Sequence, residues 1–94
     1  MKQLSVADKR YDFLGRLAIT LQTQGMQMSF KTVNKMLADN KLRPYASSRG
    51  LARGISAAYR AWERAEKKEH MSNPYSRAIA SVYTNQNGQL AWWL

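Results

Sequence analysis

The sequence predicts a mainly helical α+β domain of three helices followed by a C-terminal β-hairpin. Three observations carry that prediction. Apolar residues recur at i, i+3, i+4 and i+7 in three separate segments. Each segment is preceded by a serine suited to capping a helix. Near the end of the chain, Asn87-Gly88 sits between short runs rich in Val, Tyr and Trp, the pattern of a tight hairpin.

The 94 residues make a single domain spanning residues 1–94, large enough for a modest core and too small for an enzyme with a deep, multi-loop cleft. Fifteen Lys and Arg against six Asp and Glu give a net charge of +9 and direct attention to a polyanionic partner, nucleic acid before a membrane surface. With no cysteine, neither a disulfide framework nor a thiolate metal site can form. The opening MKQLSVADKRYDFLGRL lacks the uninterrupted apolar core of a secretory signal, and no run of about 18 apolar residues follows anywhere. The expected location is cytoplasmic, with no membrane partner.

The first helix is expected over residues 5–24. Ser5 opens it, with Asp8 three residues on as a capping-box partner, and Leu14, Leu17, Ala18 and Leu21, extended by Tyr11 or Phe13, form its buried stripe. Gly25 stops it. Asp8 and Asp12 stand one turn apart, and a solvated face beside Lys9 and Arg16 accounts for them better than a metal does. Met26 to Met28 are read as a connector. Ser29 then caps a second helix over residues 29–39, whose Phe30, Val33, Met36 and Leu37 face the core, and Asn40 is the expected left-handed terminus.

In KLRPYASS, Pro44 disfavours helix at Arg43 and marks a turn or short extended piece. Ser47 or Ser48 caps a third helix over residues 48–69. At ~100° per residue its Leu51, Ile55, Ala58, Trp62 and Ala65 share roughly an 80° arc, while Arg49, Arg53, Arg60, Arg64 and Lys67 share roughly 60° on the opposite side. The apolar arc must be buried by the rest of the chain. The basic arc must meet water or a negative partner.

From Asn40 through Trp62 the chain carries five Lys or Arg and no Asp or Glu. Such a segment gains from releasing the counterions of duplex DNA, and Arg adds a fork that fits guanine O6 and N7. A solubilising surface is the bland alternative; the confinement of Glu63, Glu66 and Glu69 to the C-terminal half of the helix argues against it. Gly50 and Gly54, four apart within the helix, cost roughly 1 kcal/mol each relative to alanine. A close approach by the second helix, a twin subunit or a sugar-phosphate strand would compensate, internal packing being favoured. Ser47, Ser48 and the first amides of the helix are also placed to hold a phosphate.

His70 pairs with Glu66 at i, i+4, which is half of a metal site with no second half, so it is read as a helix-terminal cation. Asn73 and Pro74 open a short turn or helix over residues 74–80. A hairpin over residues 82–93 follows, with a type I′ turn at Asn87-Gly88 that sets Tyr83 opposite Trp92, Asn85 opposite Leu90 and Val82 opposite Trp93. A lone hairpin is marginal in water, so its Trp residues should dock it onto the helices. Three helices and a hairpin outline a winged helix-turn-helix core, although the connector after the second helix exceeds the usual three- or four-residue turn. The uncharged tip, Gln86 to Gln89, assigns the hairpin to packing or to an edge through which two subunits pair.

The segment MSFKTVNKMLADNKLRPYASSRGLARGISAAYRAWE, followed by a Gly-containing hairpin ending in AWWL, resembles small helix-turn-helix proteins carried by bacterial phages, plasmids and prophages. The resemblance implies a DNA-binding, regulatory role with Arg49, Arg53, Ser56 and Arg60 on the exposed recognition face. On this reading Lys31, Lys35, Lys41 and Arg43 take flanking phosphates, Ser47 and Ser48 complete the nucleic-acid-binding set, and double-stranded DNA is the partner, with a homodimer as an option. The alternative is an interaction module of a mobile element, an inhibitor or adaptor that meets an acidic surface on a host protein or defence complex. Single-stranded nucleic acid or RNA is a third option, resting on Tyr45, Tyr59 and the C-terminal Trp residues. Enzymatic chemistry needs a paired base and nucleophile or a carboxylate pair in a cleft. One His, no Cys and six scattered acids supply no such group, and no cofactor or metal is expected.

Overall fold

A computed structural model describes residues 6–70 and 74–92. The elements run α1 (Lys9–Gln24), β1 (Met28–Ser29), α2 (Phe30–Asp39), α3 (Ser48–Glu69), α4 (Pro74–Ala80), β2 (Val82–Thr84) and β3 (Gln89–Trp92). Helices α1, α3 and α4 pack closely on one another, while α2 stands outside that trio, its main element contact being with β1. The strands form one antiparallel sheet in the order β1-β3-β2.

The apolar stripes are where the periodicity places them. Leu14, Leu17, Ala18 and Leu21 of α1, Val33 and Leu37 of α2, and Leu51, Ile55, Ala58 and Trp62 of α3 are buried in one core, joined by Ile79, Val82 and Leu90. Arg16 ties α1 to α4 by donating to Asp12 at 3.0 Å and to the Tyr75 hydroxyl at 3.1 Å.

Helix α1 begins at Lys9, four residues later than the sequence predicts. Ser5 lies outside the described residues, and Val6 and Ala7 are not helical. The reason is that Asp8 is itself the cap: its carboxylate accepts from the Arg10 amide at 2.9 Å, leaving no capping box for it to complete. At the other end Gly25 takes φ +62°, and Met26 N–H bonds back to Leu21 at 3.0 Å, a Schellman closure.

Ser29 caps α2 by accepting from Thr32 N–H. The left-handed terminus falls one residue beyond the predicted Asn40. Asn40 has φ −97° and donates its side-chain amide to Met36 O, whereas Lys41 takes φ +60°. Lys41 N–H then reaches Ala38 O at 2.9 Å and Leu42 N–H reaches Leu37 O at 2.8 Å, which turns Leu42 in against the core.

Helix α3 spans the predicted residues, capped by Ser47, whose hydroxyl accepts from Gly50 N–H at 3.0 Å. His70 ends it in the left-handed region at φ +52°. Helix α4 covers the predicted 74–80 span; its expected cap, Asn73, lies outside the described residues.

The C-terminal strands depart from expectation in register. Val82 pairs with Trp92, Tyr83 with Ala91 and Thr84 with Leu90, one residue off the predicted alignment, and Trp93 lies outside the described residues. A type I′ turn needs positive φ at both central residues; only Gly88, at +73°, has it. The loop therefore takes three residues, closed by Asn85 N–H to Gln89 O at 2.9 Å and Gly88 N–H to Asn85 O at 3.0 Å. The Asn85 carboxamide oxygen stabilises that loop by accepting from both Asn87 and Gln89 N–H. Strand β1 replaces part of the predicted connector, because two residues carry no alternation to read. It pairs Met28 with Leu90 and Ser29 with Gln89 and turns the hairpin into a three-stranded sheet.

Candidate nucleic-acid interface

Four contacts set the orientation of α3. Trp62, fully buried, donates its indole N–H to Tyr11 O at 2.8 Å and stacks on Tyr75 with ring centroids 4.7 Å apart. Gly15 of α1 admits the indole: a Cβ there would overlap the ring nitrogen. Nearly two turns into α3, Gly54 admits Tyr45 in the same way, since a Cβ would fall 2.5 Å from the phenol oxygen. Internal packing therefore explains Gly54. A Cβ at Gly50 would meet only Ser47 Oγ, at an ordinary 3.5 Å.

Tyr45 is the hub of the connector. Asn34 on α2 clasps its backbone twice, donating to Tyr45 O and accepting from Tyr45 N–H, both at 2.8 Å. Arg10 of α1 lies over the ring at 4.4 Å from its centroid and donates to Arg43 O at 3.1 Å. Burial pushes the Tyr45 phenol above its ordinary pKa, against the pull of Arg10. The segment that the sequence shows only as a turn is thus a strap held from both sides. No local pattern reveals this, because Asn34, Arg10 and Tyr45 are far apart in the chain.

With α3 fixed by its apolar side, Arg49, Arg53, Ser56 and Arg60 are all exposed, as is Arg64. Among the described residues none of these arginines has an acidic partner. The acids of this region are committed elsewhere. Glu63 accepts from the Tyr59 hydroxyl at 2.7 Å and meets Lys67 at 3.5 Å, and both neighbours hold its carboxyl below the usual range. The bond to Glu63 in turn raises the Tyr59 phenol. Glu66 accepts from Ser76, Asp12 binds Arg16 and Asp8 caps α1.

No known family, curated protein or solved structure matches the chain.

The remaining sequence-derived candidates fall in three places. Lys31 and Lys35 are exposed on α2, and Lys41 and Arg43 are exposed on the strap. Ser47 is exposed with its oxygen already spent on the cap, while Ser48 is half-buried beneath the hairpin tip. A Cβ at Gly88 would lie 3.5 Å from Ser48 Cβ, so the tip abuts the first residue of α3. Beside the arginine flank runs an open groove of ≈ 480 Å³ with an apolar floor of Ile55, Ile79 and Val82 and a rim of Ser56, Tyr59 and Arg60. No group of three or more His, Asp or Glu able to hold a metal ion occurs among the described residues. Among the same residues, no helix is long and apolar enough to cross a membrane.

Proposed function

We propose that this chain is a small cytoplasmic DNA-binding protein, a regulator of transcription or of a mobile element, that lays the N-terminal half of α3 in the major groove. The observation that carries the reading is the uncompensated arginine flank. Four exposed guanidinium groups, Arg49, Arg53, Arg60 and Arg64, share one side of a rigidly seated helix, and the nearby carboxylates are bound to other groups. Lining up like charges costs free energy through self-repulsion, which a polyanion removes. The winged helix-turn-helix outline draws support from part of the element order, helix, strand, helix, helix and a later hairpin whose second strand, β3, also pairs with β1, with the short α4 inserted between α3 and that hairpin. Arg49, Arg53, Ser56 and Arg60 face base edges, and Lys31, Lys35, Lys41 and Arg43 face flanking phosphates.

The test is fluorescence anisotropy of a labelled random-sequence duplex at several salt concentrations. The wild-type chain should bind with a log-log salt slope of several phosphates. Changing Arg49, Arg53 and Arg60 together to Ala should lower that slope by about 0.9 for each phosphate no longer neutralised, with a thermal midpoint no lower than wild type, because all three side chains are exposed and their mutual repulsion is relieved. Unaltered affinity in the triple variant overturns the placement. No duplex binding even at low salt favours the interaction-module alternative, in which the same flank meets an acidic protein surface.

A further inference from the structure

Asn87 lies in the hairpin turn, yet the turn does not use its side chain. The other asparagines within the described residues are engaged. Asn34 clasps Tyr45, Asn40 donates to Met36 O, and Asn85 holds the loop through Asn87 and Gln89 N–H. Asn87 is exposed, its carboxamide has no hydrogen bond among the described residues, and the next residue is Gly88, which offers no side chain to shield its nitrogen.

We infer that Asn87 is a deamidation site whose conversion to a carboxylate weakens polyanion binding at the N-terminal end of α3. The Gly88 amide nitrogen, freed from its bond to Asn85 O, loses its proton and attacks the Asn87 side-chain carbonyl. A C–N bond forms, the side-chain nitrogen leaves as ammonia, and a five-membered imide results. Water then opens either carbonyl, giving aspartate or isoaspartate; the net change is addition of one water and loss of one ammonia. The three-residue loop is closed by few bonds, so the opening this needs is a local one.

Position gives the modification its effect. Gly88 abuts Ser48, the first residue of α3, so the new charge, one residue away, lies near the positive end of the helix dipole. It complements the helix and raises its stability, while it repels phosphates approaching Arg49 and Arg53. The second consequence rests on the DNA reading above; the chemistry does not.

The experiment has three readouts. Purified protein is incubated at mildly alkaline pH and followed by peptide mapping, which should locate the amide-to-acid mass change at Asn87 and not at Asn34, Asn40 or Asn85. An unfolded peptide carrying residues 82–92 serves as the reference: if it deamidates while the folded protein does not, the folded turn protects the site and the proposal falls. Second, Asn87→Asp should bind the labelled duplex about fivefold more weakly at low salt, the order expected for one charge within a Debye length of the phosphates, while Asn87→Gln should bind as wild type. Third, Asn87→Asp should melt no lower than wild type. If Asn87→Asp binds normally while the triple arginine variant does not, the regulatory consequence is overturned and the DNA reading stands. If neither variant changes binding, the DNA reading fails with it, and peptide mapping alone decides the chemistry.

Discussion

Three glycines of this chain do different work at the same nominal cost in helix propensity. Gly15 and Gly54 each stand where another ring occupies the space of a Cβ, Trp62 in the first case and Tyr45 in the second. Gly50 has ordinary clearance and no positive φ. Gly15→Ala should therefore be the most damaging of the three, costing about 3 kcal/mol, because Trp62 is fully buried and must give up its bond to Tyr11 O to move. Gly54→Ala should cost about 1–3 kcal/mol, since Tyr45 is held by Asn34 and Arg10 and cannot swing away freely. Gly50→Ala should stabilise α3 by roughly 0.5–1 kcal/mol through propensity alone. Urea denaturation of the three variants checks the order. In the sequence, Gly50 and Gly54 look alike; only the partner of Gly54, brought from the connector, separates them.

At the scale of elements, the helices are legible in the sequence because each carries a stripe at helical spacing and two of the three carry a serine cap. Ser29 and Ser47 cap as predicted, and α3 runs over the predicted residues. Errors concentrate at the closures of elements: Asp8 as the α1 cap in place of Ser5, Lys41 in place of Asn40, a three-residue loop in place of two. Strand β1 leaves no local signal because its partner, β3, lies at the far end of the chain, and the strap leaves none because Asn34 and Arg10 reach it from other helices. The site is legible as a basic face but not as a supported one, since its supports, Trp62 on Gly15 and Tyr45 on Gly54, are tertiary. The α2 terminus offers a sharp check. Lys41 holds a left-handed conformation that costs a non-glycine residue about 1–2 kcal/mol, partly offset by the lower entropy loss relative to Gly. Lys41→Gly should raise stability by about 0.5–1 kcal/mol and yet reduce the duplex salt slope by about 1 if its ammonium meets a phosphate. Denaturation and anisotropy on one variant should thus move in opposite senses.

For the whole molecule the governing quantity is the net charge of +9. Only a few carboxylates are available to offset fifteen cations, and several are spent on caps and local pairs. The folded state gathers the arginines of α3 more closely than the unfolded chain does, so screening should favour folding. Raising ionic strength from about 10 mM to about 150 mM, which shortens the Debye length from about 30 Å to about 8 Å, should lift the thermal midpoint measured by calorimetry. Over the same range affinity for duplex should fall. A midpoint that drops with salt would mean that local ion pairs such as Arg16–Asp12 outweigh the collective repulsion.

The pairing of β1 with β3 also bears on how the chain is made. Leu90 and Ala91 are buried, Leu90 sits opposite Met28, and the Trp92 indole N–H donates to Met26 O at 3.1 Å. Strand β3 follows β1 in the chain with α2, α3 and α4 between them, so the helices are synthesised before the strand that covers Met28. Until β3 is in place, the early helices wait with Met28 and the apolar wall behind it uncovered.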